Sequence, residues 1–79
     1  MNRARELHNL AMAYYDQAHC CERAAEYVWA LEHMRHAADA EQAAYDATPE
    51  GAEPSRAILR DSVEAMRENV ARLEKEVRS

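Results

Sequence analysis

Apolar side chains in the last third of the chain recur at alternating steps of four and three residues. The repeat consists of Leu59, Val63, Met66, Val70, Leu73 and Val77. This spacing places all of them on one side of an α-helix and is the heptad pattern of coiled coils and helical bundles. Because Pro54 cannot continue a helix backwards and Ser55 is a natural N-cap, the pattern predicts a helix over about residues 55–78. A stripe this narrow packs against either two neighbouring helices or another copy of itself.

The first 47 residues contain two apolar faces that do not share one register. The first consists of Leu7, Leu10, Ala11, Tyr14 and Ala18, and the second of Tyr27, Ala30, Leu31, Met34, Ala37, Ala38 and Tyr45. Helix propensity is weakest between them, so we expect a turn at residues 19–23. This predicts helix 1 over about residues 3–19, helix 2 over about residues 23–47 and a loop over residues 48–54. Without that turn, residues 3–47 form one helix of about 70 Å and the protein must be an intertwined oligomer.

Composition supports a helical fold. The chain is rich in alanine, the best helix former, and its only glycine, Gly51, lies between its only prolines, Pro49 and Pro54. We therefore predict an all-α three-helix bundle in which helices 1 and 2 form a hairpin and the amphipathic helix 3 closes it. A chain of 79 residues is near the lower limit for a self-sufficient core. Self-association is thus expected, most simply as a homodimer.

Two stretches resemble the helices of a tetratricopeptide repeat. The run 9-NLAMAYYDQA-18 is similar to the first helix, with leucine, a small residue and tyrosine at Leu10, Ala11 and Tyr14. The run 27-YVWALEHMRHAA-38 resembles the second helix, in which an aromatic is followed by Ala-Leu and a later small residue. The usual Gly-Asp/Asn-Tyr turn is absent, and about two additional helical turns separate the two runs.

The helical hairpin with a third helix also resembles the MIT domain of trafficking proteins, which is a three-helix bundle. Both resemblances imply a hairpin architecture and a module that holds a helix or peptide from a partner. Neither implies a catalytic residue.

Predicted helix 2 holds the only tryptophan, Trp29, with His33 and His36 further along the same side. A second stripe on helix 1 consists of His8, Met12, Tyr15 and His19. With a turn near residue 22, antiparallel packing places Tyr15 at the level of Trp29 and His8 at the level of His36. The two stripes then form one continuous surface of aromatic and imidazole rings.

Three interpretations of this surface are open. In the first, Trp29 packs under helix 3 or over a loop, with the histidines at the rim. In the second, the surface is a protein interface, because tryptophan, tyrosine and methionine are enriched at interfaces. In the third, His33 and His36 bind zinc, with His8 as a further ligand.

The interface and metal interpretations assign different roles to these residues. The predicted partner contacts are Trp29, His33, His36, Tyr15 and Met12 on the hairpin and Val63, Met66, Val70 and Leu73 on helix 3. The alternative function is a small metal-binding or redox accessory protein that uses the histidines with the adjacent Cys20 and Cys21, although a C-x-x-C spacing is absent.

Several function classes are disfavoured. The formal net charge is −5 and no basic stripe stands clear of acids, which argues against nucleic-acid binding. No stretch approaches the roughly 18 apolar residues of a membrane span. The sequence lacks a Glu-x-x-His pair, a P-loop and a Gly-x-Ser-x-Gly turn, so we expect neither catalysis nor a cofactor.

Adjacent free cysteines suit the reducing cytoplasm. We therefore predict a cytoplasmic, non-catalytic interaction or assembly module that binds a partner helix, a peptide or itself.

Overall fold

The computed structural model describes residues 2–79 and contains three α-helices. These are α1 (Arg3–Arg23), α2 (Tyr27–Asp46) and α3 (Ser55–Arg78). No strand occurs within the described range, so the prediction of an all-α, three-helix fold is confirmed. None of the three helices combines the length and the apolar character needed to cross a membrane.

Helix α2 is the centre of the fold. It packs against both α1 and α3, whereas no Cα atoms of α1 and α3 approach within 8 Å of one another. The Cα atoms span 42 × 21 × 14 Å, so the molecule is long and flat. Because α2 has a neighbour on each of two sides, its remaining surface is left open.

The hairpin turn lies later in the chain than predicted. Helix α1 continues through residues 19–23 and ends at Arg23, and α2 begins at Tyr27. Ala25 reverses the chain with a positive φ of 60°, and the Glu26 N–H donates to the carbonyl oxygen of Cys21 at 2.8 Å. One left-handed residue after a helix satisfies the last carbonyl groups and ends it, which is usually the role of glycine. The predicted turn at residues 19–23 was therefore wrong in position, although the hairpin itself is present.

The loop between α2 and α3 lies close to its predicted position. Gly51 adopts a φ of 88°, which is the conformational freedom expected of it. Ser55 is the first residue of α3 and not its N-cap, since Pro54 occupies that position without a side-chain cap. The Ala57 N–H instead bonds to the side chain of Glu53 at 3.2 Å. The Ser55 N-cap prediction was wrong because this carboxylate one turn earlier supplies the acceptor.

Arg56 anchors the start of α3 to the end of α2 through hydrogen bonds. Its guanidinium group donates to the carbonyl oxygen of Thr48 at 2.7 Å and to the hydroxyl of Tyr45 at 2.8 Å. The same group lies 4.3 Å from the centroid of the Tyr45 ring. These contacts fix where α3 starts relative to α2.

The core is thin and built mainly from alanine. Its fully or largely buried apolar residues are Ala11, Ala18, Ala30, Leu31, Met34, Ala37, Ala38, Ala40, Ala44, Val63, Met66 and Leu73. Small side chains allow α1 to approach α2 closely. The heptad stripe of α3 is used within the chain, because Met66 and Leu73 belong to the core cluster and Val70 packs against it. Leu10, predicted to lie on a core face, is instead 48% exposed.

Candidate interaction surface

Four rings from α1 and α2 form a row on one edge of the hairpin. The Tyr14 ring centroid lies 6.3 Å from that of His33 and 5.1 Å from that of His36, with interplanar angles of 26° and 28°. The row continues to Trp29, whose ring centroid is 6.4 Å from His33. These separations fall in the range of favourable ring contacts. Tyr14, Trp29, His33 and His36 are hereafter the aromatic patch.

The aromatic patch is open to solvent. Trp29 is 58% exposed and His36 is exposed, whereas His33 and Tyr14 are half-buried. Leu10 lies one turn before Tyr14 on the same side of α1 and extends the patch along this edge. The interpretation in which Trp29 packs under helix 3 or a loop is wrong, because α3 lies along a different side of α2.

The aromatic patch differs from the predicted surface in its contribution from α1. Tyr14 contacts the α2 histidines, whereas Tyr15 packs edge-on against His19 with centroids 4.4 Å apart. Tyr15 and Met12 both pack against the core cluster. The prediction that Tyr15 lies at the level of Trp29 was wrong, because the later turn changes the register between α1 and α2.

The same register change gives His8 a partner that the sequence interpretation missed. His8 lies opposite Glu41, five residues further along α2 than the predicted His36. Its Nδ1 is 2.8 Å and 3.0 Å from the two carboxylate oxygens of Glu41, which is fully buried. The Ser62 hydroxyl donates to the same carboxylate at 2.6 Å. One buried acid therefore joins all three helices.

A signal for this buried acid exists in the sequence. Glu41 lies seven residues after Met34 and three before Ala44, so it occupies the apolar side of α2. Both His8 and Ser62 donate to the carboxylate that lies between them. Glu41 thus bridges the two side chains. The geometry is that of a structural polar anchor.

The histidines considered for zinc are divided between two places. His8 bonds to Glu41, while His33 and His36 flank Tyr14. Across residues 2–79, no group of three or more His, Cys, Asp or Glu side chains could hold a metal ion. Cys20 and Cys21 are both free thiols.

Ion pairs hold α3 on the side of the hairpin away from Trp29. Arg72 donates to both carboxylate oxygens of Glu22 near the end of α1, and Arg35 of α2 donates to Glu74 at 2.9 Å. The hydrogen bond from Arg72 holds the pKa of Glu22 below its ordinary value of 4.5. The side facing α3 is thus rich in paired charges, in contrast to the aromatic patch.

A separate open groove lies at the opposite end of the molecule. It has a volume of about 600 Å³ and is formed by the start of α1, the loop and the start of α3. Ile58, which is 62% exposed, lines it. An exposed apolar side chain therefore exists outside the aromatic patch and offers a matched control.

Comparisons of the chain with protein-family models, curated proteins and solved structures find no match.

Proposed function

We propose that the protein is a small non-catalytic interaction or assembly module whose aromatic patch binds a helix of another polypeptide or of a second copy. The observation that carries the proposal is the exposure of Trp29 at 58%, in a row of rings whose outer side residues 2–79 leave open. Tetratricopeptide-like and MIT-like hairpins, which the sequence resembles, hold partner segments in a comparable way.

The residue types of the aromatic patch favour binding over mere exposure. Tryptophan and tyrosine dominate the binding energy of protein interfaces, since each buries a large area with few rotatable bonds. Half-buried Tyr14 and His33 hold the row in place, and the exposed Trp29 and His36 provide contact area. Packing of Tyr14 and His33 before binding reduces the entropy that these two side chains lose on association.

A helix is the favoured occupant because the patch spans two adjacent antiparallel helices. The rows of side chains on such a pair form grooves that accept the side chains of a further helix. Trp29 on α2 and Leu10 on α1 are both exposed, so each of the two helices offers an apolar side chain to such a partner. The same geometry suits a peptide that becomes helical on binding.

We place this activity in the cytoplasm. Cys20 and Cys21 are free, and neighbouring thiols persist in reduced form in that compartment. A homodimer is the simplest assembly for a chain with so thin a core.

Photo-crosslinking tests the proposal at the residue that carries it. The variant Trp29→p-benzoyl-phenylalanine is produced in the native cells and irradiated, with the same replacement at Ile58 as the control because Ile58 is similarly exposed. We expect a discrete polypeptide adduct from position 29 and none from position 58. Absence of any adduct at position 29, or equal adducts at both positions, would contradict the proposal.

A further inference from the structure

We infer that a second copy of this chain occupies the aromatic patch, so that two α1–α2 hairpins form a four-helix bundle. The inference rests on the proposed function and names the partner. It follows from three features of the hairpin edge that carries the aromatic patch. These are two uncharged heptad stripes, a decrease in side-chain size along α2, and an area sufficient for a dimer.

The edge carries one uncharged heptad stripe on each helix. The α2 stripe is Trp29, His33, His36, Ala40 and Ala43, and the α1 stripe is Leu7, Leu10, Tyr14, Gln17 and Cys21. Both follow alternating steps of three and four residues, which is the spacing by which helices pack in bundles. The stacking of Tyr14 on His36 shows that the two stripes lie side by side. None of these ten residues is an Asp, Glu, Lys or Arg.

Charge favours this edge as the place where two copies meet. Each chain has a formal net charge of −5, so faces that carry acids repel when two copies approach. Elsewhere on α2 the exposed side chains include Glu32, Asp39 and Asp46. The two heptad stripes keep those acids at the rim, where water and salt screen them.

The size gradient along α2 makes the edge complementary to itself. The α2 stripe begins with the large Trp29 and His33 and ends with the buried Ala40 and the half-buried Ala43, neither of which projects far from the helix. A second copy placed antiparallel across a two-fold axis brings the large rings of one chain over the alanines of the other. Large residues facing small ones fill space at native density, whereas a parallel arrangement places Trp29 on Trp29 and leaves a gap at the alanines.

The area is sufficient for a specific but modest dimer. Helices α1 and α2 contain 21 and 20 residues. At about 1.5 Å per residue and about 9 Å between axes, their shared face measures roughly 30 × 20 Å, or about 600 Å² on each copy. Two copies then bury about 1,200 Å², the lower end of stable interfaces. The dimer should therefore dissociate within an accessible range of concentration.

Sedimentation equilibrium tests the inference with three proteins. We expect the wild type to change from monomer to dimer between micromolar and millimolar concentration. Leu10→Glu, at the edge of the patch, should weaken dimerisation roughly 30-fold or more. Ile58→Glu, with the same change at a similarly exposed position on α3, should dimerise as the wild type does. Circular dichroism of each variant at low concentration should show the same helical signal and melting transition.

Three outcomes overturn the inference. These are a wild type that stays monomeric at every concentration, a dimer that Leu10→Glu leaves intact, and a dimer that Ile58→Glu disrupts. The product of photo-crosslinking at position 29 distinguishes a failure of the dimer inference from a failure of the proposed function. An adduct of twice the chain mass supports the second copy. An adduct with a different polypeptide, together with a monomeric wild type, contradicts the inference of a second copy but supports the proposed interaction module.

Discussion

Nδ1 of His8 on α1 lies 2.8 Å from a carboxylate oxygen of Glu41 on α2, and Glu41 is fully buried. Burying a carboxylate is costly unless it is paired and hydrogen-bonded. His8 and Ser62 provide the donors, one from each of the other helices. The contact therefore stabilises the register of the hairpin that the turn at Ala25 sets, and with it the place of Tyr14 beside His33 and His36.

Replacing His8 tests this role. His8→Ala leaves the buried carboxylate with one donor fewer, and we expect the free energy of unfolding to fall by about 2 kcal/mol. Urea denaturation followed by circular dichroism measures the change. In the double variant His8→Ala/Glu41→Leu the unpaired acid is gone, so part of that loss should return. Strictly additive losses from the two substitutions would show that His8 and Glu41 do not depend on each other.

The turn that ends α1 makes a second prediction. Ala25 has a φ of 60°, a region that glycine adopts without the steric cost paid by alanine. Ala25→Gly should therefore raise the free energy of unfolding by about 0.5–1 kcal/mol. Ala24→Gly is the matched control, because Ala24 has an ordinary φ of −87° and should be destabilised by glycine. A loss of stability at both positions would contradict the left-handed turn at Ala25.

The Glu22–Arg72 pair predicts a dependence of stability on pH. The pKa of Glu22 is lowered in the folded chain, chiefly by the hydrogen bond from Arg72, so the folded state holds its proton less tightly than the unfolded state. The stability from this pair is present above about pH 4.5 and is lost as the pH falls through the lowered pKa. Its size should stay below about 1 kcal/mol because the pair is partly exposed.

Glu22→Gln isolates this contribution. The variant should be less stable than the wild type at neutral pH, and the difference should vanish as the pH is lowered from about 5 to about 2. Melting curves of both proteins across that range provide the comparison. A difference that stays constant throughout would mean that the ionisation of Glu22 contributes nothing.

Arg56 gives a prediction for the loop. Its planar guanidinium group bonds to both Thr48 and Tyr45, which a lysine ammonium cannot reproduce. Arg56→Lys should lower the free energy of unfolding by about 1 kcal/mol. Arg60→Lys, at an exposed position near Asp61, should change stability little. Similar effects of the two substitutions would argue against the anchoring role of Arg56.

The sequence predicted the parts of the fold that depend on local patterns. The heptad stripe of α3 and the loop around Gly51 carry strong local signals, and both appear where expected. The hairpin turn was misplaced because an alanine, Ala25, takes the left-handed conformation without any glycine or proline to mark it. That choice depends on the packing of α1 against α2, which local propensity does not contain.

The candidate site was predictable along one helix but not between helices. Helical periodicity alone places Trp29, His33 and His36 on one side of α2. Choosing Tyr14 over Tyr15 as their neighbour requires the register between α1 and α2, which the turn at Ala25 sets. Glu41 was missed for the same reason, since its histidine partner could be identified only from that register.

Trp29 emission is the most direct test of the claim that another polypeptide helix covers this surface. Trp29 is the only tryptophan, so fluorescence excited selectively at the long-wavelength edge of tryptophan absorption reports the aromatic patch. We predict that the emission shifts to shorter wavelengths as the wild-type concentration rises, and that Leu10→Glu abolishes the shift. The contradicting result is emission typical of a solvent-exposed tryptophan under two conditions. The first is the wild type alone at every concentration. The second is the wild type mixed with any polypeptide that was crosslinked through position 29.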